Sequence, residues 1–254
     1  MSLSGAANNH RFYHLVTEAL KTRKLFALQV DPDKHTAGSL ELVAGAAERN
    51  RVDFILVGGS LVFRPIEEAI RILKQHTGIP VILFPGNILQ ISSLADGILL
   101  LCLISGRNPE YLIGNHVIAA PLLRQSRLEI IPTSYILIEN GRSTSVEYIS
   151  NTRPIPADKT DLAIATAMAG EMLGHRLIYL EAGSGALTPV STGLIREVRK
   201  NINIPLIVGG GINNASMIDK LYLAGADIIV VGTAVEDEPS ALDILCDAAA
   251  RYTT

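Results

Sequence analysis

Two glycine groups, each placed directly after an apolar run, constrain this chain most. Gly209, Gly210 and Gly211 follow residues 205–208, and Gly232 and Thr233 follow residues 228–231. Glycines after a buried strand leave backbone N–H groups bare and approachable. With a helix start behind them, such groups cradle a phosphate. Two cradles on consecutive final strands of a β/α chain match the phosphate site of a (β/α)8 barrel.

The rest of the chain fits that fold. Apolar runs of strand length occur at 25–30, 54–57, 80–84, 97–103, 130–138, 177–180, 205–208 and 228–231. They are rich in Ile, Leu and Val without polar alternation, as strands buried on both faces are. Helical patterns lie between them. Pro65 opens one, with Ile66, Ala69, Ile70 and Leu73 on one face. Residues 161–173 form another, stopped by Gly174, and a third runs from Asn214 to Gly225. One connection is too short. Twelve residues separate Phe84 from Gly97, close to the minimum of ~10–12 for a βαβ crossover. The third helix is therefore expected to be missing or replaced by a turn. Residues 139–156, rich in Ser, Thr, Asn, Arg and Pro, read as an irregular stretch, either a lid at the barrel mouth or a long surface loop. No linker or low-complexity segment interrupts residues 1–254, so a single domain is expected. The first ten or so residues, small and polar, are expected to be disordered.

Composition removes several functions. With 48% apolar residues the chain can build a large core, and a net charge of −3 with no basic stripe argues against nucleic acid. Cys102 and Cys246 lie in apolar runs and read as buried free thiols of a reducing compartment. The apolar run 98–104 is far shorter than the ~20 residues that span a bilayer. No signal-peptide pattern is visible, and a soluble, cytoplasmic protein is expected. The six histidines show no metal-ligand spacing, and there is neither a GxSxG elbow nor a P-loop.

Function in such a barrel sits at the C-terminal strand ends. After the first strand comes Asp31-Pro32-Asp33-Lys34. Its first carboxylate suits Mg²⁺, a hard cation that shares its shell with substrate phosphates. Asp-Pro-Asp is equally ordinary turn chemistry. After the second comes Gly58-Gly59-Ser60, a tight turn whose hydroxyl is positioned to assist a metal or a phosphate. After the sixth comes Tyr179-Leu180-Glu181-Ala182-Gly183-Ser184-Gly185. Alternation places Tyr179 and Glu181 on one face and Leu180 on the other. A glutamate facing a barrel mouth is costly unless it is paired or used.

In order and spacing over roughly residues 25–245, these motifs, with Val231-Gly232-Thr233-Ala234, resemble the geranylgeranylglyceryl phosphate synthase family, which includes the heptaprenylglyceryl phosphate synthases. Pro132-Thr133-Ser134-Tyr135-Ile136-Leu137 is similar to the longer-chain branch. The resemblance implies a modified (β/α)8 TIM barrel with the third helix replaced. It implies a Mg²⁺-dependent prenyltransferase that joins a polyprenyl (here geranylgeranyl) diphosphate to the 3-hydroxyl of sn-glycerol 1-phosphate, giving an ether-lipid precursor. By motif position, Asp31 and Ser60 take the Mg²⁺ and diphosphate side. Tyr179, Leu180, Glu181, Ala182, Gly183, Ser184 and Gly185 hold glycerol phosphate, with Gly210, Gly211, Gly232 and Thr233 around its phosphate. Glu181, with Tyr179 beside it, is the catalytic candidate, acting as base on the attacking hydroxyl. The prenyl tail needs an apolar groove, and the gap left by the third helix offers one. Transient membrane contact and a homo-oligomer are further implications. The chain departs from some relatives at Gln29, where they carry a phosphate-contacting lysine. Either Lys34 or backbone N–H groups supply the donor, or phosphate is held more weakly. The rival reading is another phosphate-binding TIM-barrel enzyme, a sugar-phosphate isomerase or cyclase.

Overall fold

In the computed structural model, which describes residues 11–252, all eight apolar runs are strands of one closed parallel barrel in chain order. They are β1 (Leu25–Val30), β2 (Phe54–Val57), β3 (Val81–Leu83), β4 (Gly97–Leu103), β5 (Glu129–Leu137), β6 (Leu177–Glu181), β7 (Leu206–Gly209) and β8 (Ile228–Val231). Pairing of Leu25–Leu28 with Ile228–Val231 closes the ring. The expectation for the N-terminal ten residues lies outside the described residues.

Two apolar layers hold the barrel. Leu25, Ala27, Phe54, Leu56, Ile82, Leu99, Ile131, Leu177, Ile207 and Ile228 point inward and fill the interior. The alternate residues pack outward against the helices. Helix α1 (Arg11–Ala19) precedes β1 and adds Phe12 and Val16 to the interior. Its N-terminus is held by Glu129, which accepts from the backbone N–H groups of Phe12 at 2.5 Å and Tyr13 at 3.0 Å.

The helices that frame the site follow their sequence signals. Helix α2 (Ala37–Arg49) follows β1, and α3 (Ile66–His76) follows Pro65 and buries Ile66, Ala69, Ile70 and Leu73. A 3-10 turn, Ile88–Gln90, stands where the next helix would be, so the short connection does replace a helix. The β3–β4 pairing beside it covers only Ile82↔Gly97 and Leu83↔Ile98. Beyond β4, a π-turn at Glu110–Gly114 leads into α4 (Asn115–Gln125).

Residues 139–156 are more ordered than an irregular loop. They contain a short helix, α5 (Ser145–Ser150), with Thr144 as its cap, and a bridge between Ile138 and Ile155. Six residues carry too short a periodicity to read from sequence. Then come α6 (Thr160–Met172), α7 (Thr192–Lys200), α8 (Ala215–Ala224), α9 (Thr233–Asp237) and α10 (Ala241–Ala249). Asn214 caps α8 by accepting from the Met217 N–H, and Gly225 ends it with φ +113°.

Candidate active site

Two connected cavities open at the C-terminal ends of the strands. The first has a volume of about 530 Å³, and its lining includes Asp31, Ser60, Tyr179, Glu181, Ser184, Gly185, Gly210, Gly211, Gly232 and Thr233. The second, a narrow cleft of about 100 Å³, is apolar and lies along the gap left by the replaced helix. Its walls come from the β3–β4 connection (Ile88, Ile91), β4 (Ile98, Leu100), α4 (Ala119, Leu123) and α5 (Ile149). Gly59, Ser60, Phe84, Tyr135 and Val146 line both cavities and so form the seam between them.

Three aromatic rings from different strands meet at that seam. Phe84 stacks on Tyr179 at 5.4 Å, and Tyr135 stands edge-on to Tyr179 at 5.3 Å and to Phe84 at 5.8 Å. Glu181 lies beneath them, 5% exposed. The Gly183 N–H donates to its Oε1 at 2.6 Å, and the Tyr179 hydroxyl also hydrogen-bonds it. Burial pushes its carboxyl from 4.5 up to about 7, against the opposing pull of those two donors. Burial and the Glu181 charge both raise Tyr179 well above 10, so its hydroxyl stays protonated.

The glycine cradle is built as its spacing suggests. Gly210 and Gly211 adopt φ +85° and +70°. A Cβ on Gly210 would overlap Glu181 Oε1 and stand 2.7 Å from the Gly183 nitrogen. The Ser184 and Thr233 hydroxyls meet at 3.1 Å, linking the β6 and β8 turns. No described residue accepts from the backbone N–H of Gly185, Gly210, Gly211 or Gly232. Those donors are therefore free for an anion.

Leu180, Ala182 and Gly183, expected at the substrate, do not line the cavity. Leu180 and Ala182 pack into the outer core. The Ala182 N–H donates to Gly209 O, and the Gly183 N–H is spent on Glu181. These three shape the turn behind the site.

Across the cavity, Asp31 lies against the Gly58-Gly59-Ser60 turn. A Cβ on Gly59 would stand 3.0 Å from Asp31 Oδ2. Desolvation raises the Asp31 pKa. Glu236, which accepts from the Asp31 backbone, is raised by burial and then by the Asp31 charge. These two carboxylates lie near enough to interact, and their hard oxygens would fit a divalent cation. No cluster of three or more His, Cys, Asp or Glu ligands occurs among the described residues, so the remaining ligands of such an ion would be substrate oxygens or water. Asp33 is not part of this set, since its oxygens accept from the Phe63 and Arg64 N–H groups at 2.8 and 2.9 Å.

Sequence reasoning passed over Glu236, Phe84 and Gln90. Gln90 Oε1 accepts from the Gly59 and Gly86 N–H groups at 3.2 and 3.3 Å, and its Nε2 donates to Gly59 O at 2.8 Å. One amide thereby ties the Gly58–Ser60 turn to the segment that replaces the helix. Gln29, the departure noted above, donates to Gly58 O at 2.8 Å, and its Oε1 fills the space a Cβ on Gly232 would need. It braces β1 between two glycine turns.

Comparison with known proteins agrees with this geometry. The family model described as PcrB family matches residues 17–249. A geranylgeranylglyceryl phosphate synthase of Spirosoma linguale is 53% identical over 88% of this chain and 90% of its own length. One of Chitinophaga pinensis is 46% identical over 95% and 96%. Among solved structures, (S)-3-O-geranylgeranylglyceryl phosphate synthase from Thermoplasma acidophilum, in complex with substrate sn-glycerol-1-phosphate, superposes with a TM-score of 0.88 at 33% identity, covering 92% of this chain and 96% of that one. This chain belongs to the PcrB family and is a prenyltransferase.

Proposed function

We propose that the protein joins a polyprenyl diphosphate, geranylgeranyl in the first instance, to the 3-hydroxyl of sn-glycerol 1-phosphate, releasing diphosphate. The observation that carries this is the pairing of a polar cradle with an apolar cleft across one aromatic seam. A sugar-phosphate isomerase or cyclase has no use for the cleft.

Each chamber takes one substrate. The free N–H groups of Gly210, Gly211 and Gly232 and the Thr233 and Ser184 hydroxyls hold the glycerol phosphate. The prenyl chain lies in the cleft beneath the missing helix. Asp31 and Ser60, with Glu236 beside them, would hold Mg²⁺, which would supply positive charge to the departing diphosphate. The C1–O bond breaks with its electron pair leaving on diphosphate. The faces of Phe84, Tyr135 and Tyr179 then stabilise the allylic cation, as aromatic rings do for cations. Glycerol O3 forms the new bond to C1, and its proton passes to Glu181. A carboxyl near 7 accepts that proton at neutral pH and releases it again readily. The Tyr179 hydroxyl orients it. Fixing both substrates makes the step effectively intramolecular.

No described helix is long and apolar enough to cross a membrane, so the lipid substrate would be met by transient contact and drawn into the cleft. A homo-oligomer belongs to the same reading.

The test is incubation with Mg²⁺, sn-glycerol 1-phosphate and geranylgeranyl diphosphate, then mass spectrometry of the organic phase. An ether-linked prenylglyceryl phosphate that disappears with EDTA or with Asp31→Ala supports the reading. Absence of product with every prenyl diphosphate, despite glycerol phosphate binding, would favour the sugar-phosphate alternative.

A further inference from the structure

Counted by its side chains alone, the polar cavity is acidic. Its lining carries Asp31, Asp33, Glu181, Glu236 and Asp237 against a single cation, Lys34. Lys34 follows Asp31 by three residues, and its charge acts on Asp31 and Glu236, the carboxylates proposed to hold Mg²⁺. Gln29 is neutral and braced between two glycine turns. The N–H groups of the cradle bring only partial charges toward a dianion. The cradle formed by Ser184, Gly185, Gly210, Gly211, Gly232 and Thr233 thus has no cationic side chain of its own.

Arg142 stands where one would act. It lies in the β5–α6 connection, just before α5, and that connection is fastened to the phosphate turn at two points. The Asn140 Nδ2 donates to Ala182 O. Thr144 packs so closely under Gly183 that a Cβ there would overlap Thr144 Cγ2. Between these anchors, Arg142 Nη2 lies 3.7 Å from where a Cβ on Gly185 would stand. Gly185 is itself a cavity wall, and its neighbour Ser184 reaches Thr233 across the cradle. Arg142 has no ion pair or hydrogen bond among the described residues. It is also exposed, so a change of rotamer is unhindered.

We infer that Arg142 is a substrate-binding residue, closing its guanidinium over the phosphate of glycerol phosphate and supplying the cationic side chain that the cradle lacks. A guanidinium suits this role because its planar fork matches phosphate oxygens. The inference rests on the proposed function, since it takes the cradle as the glycerol phosphate site.

Calorimetric titration with sn-glycerol 1-phosphate, beside steady-state kinetics, tests it on the wild type, Arg142→Met and Arg142→Lys. A charge-assisted contact of this kind predicts Kd and KM for glycerol phosphate raised roughly 10- to 100-fold in Arg142→Met. The kcat and the KM for the prenyl diphosphate should be unchanged, and Arg142→Lys should recover part of the loss. Wild-type affinity should also fall with added salt more steeply than that of Arg142→Met. Equal affinity in wild type and Arg142→Met would overturn the assignment, as would a rise confined to the prenyl diphosphate KM. A wild type that binds no glycerol phosphate would overturn the proposed function and this inference with it. The side chain is exposed, so the variants should keep the fold, and equal thermal midpoints would confirm that.

Discussion

Replacing Glu181 by Gln should move activity and stability in opposite directions. The carboxyl is buried and displaced from 4.5 to about 7. The folded protein therefore holds this proton more tightly than the unfolded chain does. Between those two pH values the unfolded state has lost the proton and the folded state retains it, so this group makes stability fall as pH rises. Above about 7 the penalty is complete, at roughly 3 kcal/mol from ~1.4 kcal/mol per pH unit. Gln cannot ionise, and its carbonyl still accepts from the Gly183 N–H. The variant should gain on the wild type by roughly 2 kcal/mol between pH 5.5 and pH 8.5. For a chain of this size that is about 4–8 °C in thermal midpoint. Turnover should fall by about 10²–10⁴ because the hydroxyl proton has no acceptor. Wild-type kcat/KM should itself decline as pH drops below about 7, as Glu181 takes up its proton. Thermal unfolding followed by circular dichroism at the two pH values, with product formation measured in parallel, decides the matter. Parallel pH dependence of stability in the two proteins would refute the buried-carboxyl argument. Turnover within tenfold of wild type would remove Glu181 as the base.

Gly210→Ala should inactivate the enzyme with a stability loss of about 1–3 kcal/mol, because its φ is +85° and the new Cβ overlaps Glu181 Oε1; melting and turnover measured together check this. Phe84→Ala should raise the KM for the prenyl diphosphate several-fold more than that for glycerol phosphate, since Phe84 lines both cavities but stands at the entrance of the apolar one. Its stability cost should stay below the ~3–5 kcal/mol of a fully buried phenylalanine, because the ring is only half-buried. Gln90→Ala should cost about 1–3 kcal/mol by leaving the Gly59 groups unpaired, and should raise the Mg²⁺ concentration needed for half-maximal turnover.

The barrel was legible because its strands are buried on both faces and so read as continuous apolar runs. The end of β6 is one residue beyond its apolar run, since Glu181 itself pairs with Leu137. The replaced helix showed as a shortage of residues before Gly97. The cradle showed because only glycine tolerates the backbone at Gly210 and Gly211. What stayed hidden depends on contacts between residues far apart in the chain. Glu129 caps α1 from 117 positions away, and no local pattern signals that. Phe84, Tyr135 and Tyr179 look like ordinary strand aromatics until three strand ends bring them together. Glu236 reads as a surface residue of α9 until the fold sets it beside Asp31.

The missing helix explains why the reactive seam lies where it does. A complete (β/α)8 barrel is sealed on its sides, so a long apolar chain has no lateral route to the strand ends. Opening the wall between β3 and β4 provides one, and it leaves those strands with the two register pairs noted above. The Gly58–Ser60 turn follows β2, which stays paired with β1 and β3 up to Val57, and this turn lies against Asp31. Gln90 ties it with three hydrogen bonds to the very segment that took the helix's place. The apolar cleft and the Asp31 site are therefore not independent. An occupant of the cleft would touch Ile88 and Ile91 of the segment that holds Gln90, and Gln90 holds the turn that faces Asp31. A prenyl chain in the cleft should for this reason tighten Mg²⁺ binding as well as deliver C1. The coupling is reciprocal, so Mg²⁺ should tighten binding of a prenyl diphosphate analogue by the same factor.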